Sequence, residues 1–140
     1  MPAFPTGRFE GTGRWINRTA EGDYTVTCVI ARTPDGESEH TVHRVFLKPD
    51  GSPLYEEDSK LTFAPGGRNT FRVTIRSAQG EVHGSGYCFD PHCHYEAEIA
   101  SDNYLEWTFT VGPEQIEGLA SATNKGNFTS WQEKWTKKEE

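Results

Sequence analysis

The stretch from Gly86 to Ile99, GYCFDPHCHYEAEI, concentrates side chains that bind metals or transfer protons. It holds two cysteines, two histidines and three carboxylates: Cys88, Asp90, His92, Cys93, His94, Glu96 and Glu98. Zinc sites use three or four nitrogen, sulfur or oxygen ligands that converge tetrahedrally. Whether this stretch binds a metal therefore depends on which of its side chains share one face.

Alternate residues of a β-strand point to the same face, so the stretch divides by parity. His92 and His94 share a face and could chelate an ion together, whereas Cys93 points away from both. The histidine face continues with Glu96 and Glu98, while the opposite face is apolar. We therefore predict a solvated outer face with a His-rich turn, and no metal site.

The turn at residues 90–93 allows two registers. A type I turn would hold Cys93 at positive φ, which is uncommon for a residue other than glycine, and would point Tyr87 inward. The alternative is a four-residue loop that pairs Cys88 with Cys93 and turns Gly86 inward. The two cysteines lie close together in both registers. A reversible disulfide is the alternative, but we expect two reduced, partly buried thiols in the cytoplasm.

Length and composition limit the possible classes of protein. The chain has 140 residues, enough for one domain with a core, and its 12% aromatic residues supply large buried areas. A net charge of −7 argues against nucleic-acid or anionic-membrane binding, which need clustered Lys and Arg. Three cysteines do not suggest a disulfide framework. The N-terminus does not resemble a signal peptide, and no apolar run approaches the ~18 residues of a membrane span, so we predict a cytoplasmic protein.

The periodicity of the chain is that of strands. Gly and Pro recur about every ten residues, and β-branched and aromatic residues alternate with polar ones between them. The pattern predicts ten strands: Arg8–Asn17, Asp23–Arg32, Glu39–Lys48, Leu54–Phe63, Asn69–Ser77, Glu81–Phe89, Cys93–Ala100, Tyr104–Val111, Gln115–Thr123 and Asn127–Thr136.

Several links between strands predict specific turns. Thr33-Pro34-Asp35-Gly36 and Lys48-Pro49-Asp50-Gly51 place Pro second and Gly fourth, which favours a three-residue hairpin loop with a bulge. The segment Ser77-Ala78-Gln79-Gly80 can form the same loop, and Ser101-Asp102-Asn103 offers Asn at the position of positive φ. These turns fix the registers of the strands beside them.

The first of these turns predicts a buried arginine. If Thr33 pairs with Glu37, Arg44 projects into the apolar interior, where a charge needs a partner. That partner could be Glu56 or Asp58 on the next strand, or the carboxylate or phosphate of a ligand.

Two further registers bear on the candidate site. A bulged pairing at Gly80 would turn His83 inward, as a ligand contact, an axial haem ligand or a hydrogen-bonded core histidine. Ala100 opposite Tyr104 would place Ile99, Ala97 and Tyr95 against the core. It would also set His94 opposite Thr110, Glu96 opposite Thr108 and Glu98 opposite Glu106.

A ten-strand antiparallel meander of this size closes most simply into an up-and-down β-barrel, because closure removes exposed sheet edges. We therefore predict an all-β fold, with a single barrel domain over residues 1–140. A two-sheet β-sandwich is the alternative architecture.

The segment Gly13-Arg14-Trp15 in the first strand resembles the start of the calycin superfamily, which contains lipocalins and fatty-acid-binding proteins. In those families the Trp packs across the barrel floor. The helix-poor pattern is more similar to nitrobindin-like and other small bacterial lipocalin-like domains, although no nitrobindin haem motif matches the chain. The resemblance implies a cavity for a small molecule but does not say which molecule.

We predict a non-enzymatic barrel that binds a small, partly apolar or amphipathic molecule, with an anionic ligand as one option. The predicted ligand-binding residues are the walls Trp15, Phe71, Tyr87 and Trp107 and the polar anchors Arg44 and His83. One alternative is an enzyme, or a haem- or metal-dependent protein, that uses His83 or the Cys88/His92/Cys93/His94 hairpin. Another is a module for protein interaction only. The sequence indicates no particular cofactor, and the outer face could support a homodimer.

Overall fold

The structure is a computed structural model that describes residues 4–100 and 103–138, with only the backbone of Ala100. It consists of ten strands: β1 Gly7–Asn17, β2 Glu21–Arg32, β3 Ser38–Leu47, β4 Pro53–Pro65, β5 Thr70–Ser77, β6 Gly80–Phe89, β7 His92–Ala100, β8 Asn103–Val111, β9 Gln115–Asn124 and β10 Asn127–Lys138. Each predicted strand end lies within two residues of the observed end.

The ten strands form one closed antiparallel barrel. Each strand pairs with its neighbours in sequence, and β10 pairs with β1 to complete the closure. The predicted up-and-down barrel is therefore confirmed, and the sandwich alternative is wrong. Within the described residues, no helix has the length and apolar character needed to cross a membrane.

The two Pro-Asp-Gly turns have the predicted geometry. Gly36 has a φ of 81° and Gly51 a φ of 88°, a region that glycine adopts without steric cost. In each turn the glycine N–H donates to the carbonyl of the residue three positions earlier, Thr33 or Lys48. The register that follows places Arg44 opposite Val26, on the inward face as predicted.

The two ends of the barrel differ. At one end, which we call the closed end, Phe4 precedes β1 and is only 4% exposed. Its ring packs against His40, Phe63 and Phe109, with ring centroids 4.6, 4.9 and 6.0 Å away. Phe4 therefore fills the barrel there. The opposite end, which we call the open end, carries the turns that follow β1, β3, β5, β7 and β9.

The turn between β5 and β6 differs from the prediction. Ser77 pairs directly with Gly80, so the loop has two residues instead of three. This changes the register by one residue, and a one-residue change exchanges the two faces of a strand. Val82, not His83, therefore points inward, and His83 lies opposite Thr74 on the outer face.

The turn between β6 and β7 follows the second predicted register. Cys88 pairs with Cys93, and Gly86 faces inward opposite Tyr95. Tyr87 consequently points outward and is 49% exposed. The two cysteines form a disulfide on the inward face, so the expectation of two reduced thiols is wrong for this structure.

The pairing of β7 with β8 is shifted by two residues from the prediction. Glu98, not Ala100, lies opposite Tyr104, and a bulge separates Glu98 from Ala100. A shift of two leaves the faces unchanged but gives every residue a new partner. Ile99, beside the bulge, is 47% exposed instead of buried. The predicted turn at residues 101–103 lies partly outside the described residues.

Candidate functional site

The interior near the open end is the candidate site. Trp15, Leu105, Trp107 and Trp131 all lie on the inward face of their strands, yet each is only half-buried. Because these side chains point away from the outer surface, their accessible area faces the interior of the barrel. The aromatic and aliphatic composition of this wall is typical of sites for small molecules.

A depression of about 560 Å³ opens at the same rim. Its lining comes from the β5–β6 turn and from the ends of β7 to β10, and includes Gln79, Ile99, Asn103, Ala122 and Thr129. The depression is open to solvent, its lining residues are mostly polar and they do not include the four wall residues, so it marks the mouth of the barrel and not the apolar wall itself.

Glycines make room for aromatic rings on the inner wall. A Cβ atom on Gly13 would lie 2.1 Å from the Tyr24 ring, and one on Gly22 would lie 2.7 Å from the indole nitrogen of Trp15. Each ring therefore occupies the space that a side chain at the facing glycine would need.

A charged pair lies at mid-depth in the barrel. Arg44 Nε donates to Glu133 Oε1 over 2.5 Å, and the Tyr24 hydroxyl donates to the same oxygen over 2.9 Å. The side chains of Arg44 and Glu133 are 14% and 3% exposed. Both charges are thus largely removed from water, and each compensates the other.

The protonation states around this pair are fixed by burial. Burial raises the pKa of Tyr24, and the Glu133 carboxylate raises it further. Burial also raises the pKa of Cys28 to about 12 and raises the pKa of Tyr95. Burial alone would lower the pKa of Arg44, but Glu133 outweighs it and the pKa is raised. Cys28 and both tyrosines therefore stay neutral near pH 7, so none is an activated nucleophile.

Arg44 retains hydrogen-bonding capacity. Arg44 Nε donates to Glu133, and the Tyr24 hydroxyl also lies close to the guanidinium. A guanidinium has five N–H groups, so Arg44 keeps N–H groups available to another acceptor.

The partner of Arg44 is not one of the residues predicted from the sequence. The β3–β4 register places Glu57 opposite Arg44, whereas Glu56 and Asp58 point outward. Closure of the barrel instead brings Glu133 of β10 to Arg44.

The structure separates the six predicted ligand-binding residues. Trp15, Arg44, Phe71 and Trp107 lie on the inward face, as predicted, but Phe71 is 1% exposed and packs against Phe63 and Tyr95 in the core. His83 and Tyr87 lie on the outer face, so the prediction that they point inward is wrong. The cause is the shorter β5–β6 loop for His83 and the Cys88–Cys93 pairing for Tyr87.

Glu133 was missed by the sequence interpretation, although the sequence contains a signal for it. Trp131, Glu133 and Trp135 alternate in β10, and large aromatic rings at alternate positions indicate the inward face of a strand. The same parity points Glu133 inward, opposite Gly13.

The cysteines and histidines of the β6–β7 hairpin do not converge. Cys88 and Cys93 are buried on the inner face, whereas His92 and His94 lie on the outer face. Each histidine has its Nδ1 within hydrogen-bonding distance of a threonine hydroxyl on β8, at 3.3 Å for His92 and 2.8 Å for His94. The four residues cannot act together as one metal site.

A buried histidine lies at the closed end. His40 is 3% exposed, and its Nε2 lies 3.0 Å from the Ser38 hydroxyl. Burial lowers the pKa of His40 to about 3, so the ring is neutral at physiological pH. His40 is thus a core histidine with a hydrogen-bond partner, a role that the sequence also allowed for His83.

Comparison with known proteins supports the fold and leaves the family open. No protein-family model matches the chain, and no curated protein matches it in sequence. A solved structure titled "Crystal Structure of Rv2717c from M. tuberculosis" is similar, with a TM-score of 0.67 and 12% sequence identity. The match covers 96% of this chain and 92% of that chain. At this identity, the likeness shows a shared barrel fold.

Proposed function

We propose that the barrel binds a small, partly apolar molecule that enters through the open end. The observation that carries the proposal is the contrast between the two ends. Phe4 fills one end, whereas tryptophans at the other end point inward and stay half-buried. Burial of apolar surface at this wall would supply affinity of about 25 cal/mol per Å² before the costs of association.

Arg44 would orient the ligand. Its available N–H groups favour an acceptor such as a carbonyl or carboxylate oxygen, and a carboxylate could be held by two hydrogen bonds. Glu133 already compensates the charge of Arg44, so the site does not need an anion for neutrality. Neutral acceptors and anions are thus both ligand classes of this proposal.

The proposal includes a place for the chain among calycin-like barrels, which rests on the ten-strand meander. Trp15 lies near the end of β1, toward the open end, and not across the barrel floor as the resemblance implied. The cytoplasmic location stays a prediction from the sequence. The alternative of an enzyme or a haem- or metal-dependent protein that uses His83 required this side chain inside the barrel. The His83 side chain is 71% exposed on the outer face, so it does not reach the interior.

Two fluorescent apolar probes test the proposal. N-phenylnaphthylamine is neutral and anilinonaphthalene sulfonate is anionic, so their relative affinities report on the preferred ligand charge. We expect saturable binding of at least one probe, with quenching of the tryptophans at the mouth. Tighter binding of the sulfonate would indicate an anionic ligand.

A pair of matched variants locates the bound probe. Ala122 lies on the inward face at the open end, whereas Leu119 lies on the outer face of the same strand and is 61% exposed. Ala122→Phe should weaken probe binding by about tenfold, equivalent to about 1.4 kcal/mol, while Leu119→Phe should leave it unchanged. Equal affinity in both variants, with circular dichroism showing that both are folded, would contradict binding inside the barrel.

A further inference from the structure

A histidine and two glutamates meet on the outer face of β7 and β8. One nitrogen of His94 and one carboxylate oxygen each from Glu96 and Glu106 lie within 4.8 Å of one another. The three residues come from two directly paired strands, so the barrel wall holds their Cα positions. This cluster lies on the opposite face from the candidate interior site.

The two carboxylates face each other directly. Glu96 is paired with Glu106, and like charges directly opposite on a sheet are destabilising. The next residues along the same row are Ser85 and Ser121, which carry no charge. Among the described residues, neither glutamate forms an ion pair with Lys or Arg, and Glu96 is 3.7 Å from His94 Nε2.

Other glutamates on the outer face have cationic partners. Glu21 pairs with Arg14 at 2.8 Å, Glu81 with Arg76 at 3.3 Å, and Glu39 with a lysine at 3.6 Å. The facing pair on β7 and β8 has no such partner among the described residues, and its two carboxylates lie directly opposite each other. It leaves a local excess of negative charge that a cation would compensate.

The hydrogen bond of His94 leaves one ring nitrogen free. Its Nδ1 lies 2.8 Å from the Thr108 hydroxyl, while Nε2 is directed toward Glu96. A histidine that binds a metal through one nitrogen commonly uses the other in a hydrogen bond of this kind, which fixes the ring orientation and the tautomer. Thr108 thus places the imidazole as a metal ligand requires.

His43 shows that the same residue types can be arranged differently. Its Nδ1 lies 2.6 Å from Asp58 and its Nε2 lies 3.5 Å from Glu56, so a carboxylate occupies each ring nitrogen. The hydrogen bond to Asp58 raises the pKa of His43 and favours the imidazolium, which cannot bind a metal. At His94, by contrast, one ring nitrogen and one oxygen from each of the two glutamates lie within 4.8 Å of one another.

We propose that His94, Glu96 and Glu106 bind one divalent cation, for which Zn²⁺ is the best match. Zinc accepts a mixed set of imidazole and carboxylate ligands at about 2.0–2.2 Å, which places ligand atoms roughly 3.3 Å apart in a tetrahedron. Both glutamates are exposed, so rotation of their side chains can close the present spacing. Water would complete the coordination.

Isothermal titration of the untagged, oxidised chain with ZnCl₂ near neutral pH tests the proposal. We expect a single site of one ion per chain, with native mass spectrometry confirming the ratio. Glu106→Gln and His94→Gln should each weaken binding by about tenfold or more. Both residues lie on the outer face, so both variants should keep the circular dichroism spectrum of the parent protein.

Glu81→Gln is the matched control. Glu81 lies 3.6 Å from His83 Nε2 and reproduces a histidine–glutamate pair on the same kind of surface, without a second facing glutamate. It should leave the zinc affinity unchanged. The absence of a saturable site in the parent protein, or an equal loss of affinity in the control and in Glu106→Gln, would overturn the proposal.

Discussion

The barrel contains two carboxylate sites with opposite electrostatic environments, one buried and compensated and the other exposed and uncompensated. Glu133 is buried in the interior, where Arg44 and the Tyr24 hydroxyl compensate it. Glu96 and Glu106 lie in water on the outer wall, where they face each other and repel. Burial forces compensation because an unpaired charge in a low dielectric is costly, whereas water tolerates an unpaired charge. An uncompensated pair can therefore persist only on the outer face, where it is available to a cation.

The contrast between the two carboxylate sites predicts that the largest change in the free energy of unfolding follows a substitution at the buried site. Glu133→Gln removes the charge that compensates Arg44 and should destabilise the fold by about 3–5 kcal/mol, as expected when one partner of a buried ion pair is lost. Chemical denaturation measures the change. Glu57→Gln is the control, because Glu57 also faces Arg44 but is exposed and should cost far less. A loss below about 1 kcal/mol for Glu133→Gln would indicate that Arg44 is well hydrated.

A second effect, of intermediate size, concerns His40 at the closed end. Its pKa is lowered to about 3 in the folded state, against 6.5 for the free side chain, so the unfolded chain binds the extra proton. The contribution of His40 to the free energy of unfolding is fully present above the pKa of the unfolded state. It is lost as the pH falls below that value. Acidification from about pH 7.5 to about pH 5.5 should cost about 1.4 kcal/mol.

The variant His40→Gln tests this assignment. It should flatten the decrease in stability over that pH range, when unfolding is followed by denaturant at each pH. A parent-like slope in the variant would assign the acid sensitivity to other groups.

The smallest change in stability is expected at the exposed pair Glu96 and Glu106. There the substitution should stabilise the fold, whereas the substitution at Glu133 should destabilise it. In the presence of a chelator, Glu106→Gln should raise stability by about 0.2–1 kcal/mol, because it removes a like-charge contact. Saturating Zn²⁺ should stabilise the parent protein more than the variant, since a ligand that binds only the folded state stabilises it. A variant less stable than the parent in chelator would show that Glu106 makes a favourable contact without metal.

The face on which a strand residue lies could be predicted only where the adjacent turn specified its loop length. The Pro-Asp-Gly turns allow one hairpin geometry, so the inward position of Arg44 could be predicted from Thr33 and Gly36 alone. The segment Ser77–Gly80 has no proline and can form a loop of two or three residues. The choice between these lengths reversed the predicted face of His83.

Contacts between distant strands could not be predicted in the same way. Alternation in β10 points Glu133 inward, but no local feature relates it to Arg44, which is 89 positions away in the chain. Only closure of β10 onto β1 brings that strand to the interior position of Arg44.

The sequence by itself determined that this chain is a ten-strand meander, because alternation and turn residues act over a few neighbouring positions. It also determined which face of β7 carries His94 and Glu96, since parity survives a shift of two residues. Only the tertiary structure decided which residues lie opposite each other. Barrel closure joined Glu133 to Arg44, and the two-residue shift of β7 against β8 set Glu96 against Glu106. Both sites depend on these registers. A register is fixed by the packing of the whole barrel as well as by the local turn, so it could not be predicted from the neighbouring residues alone.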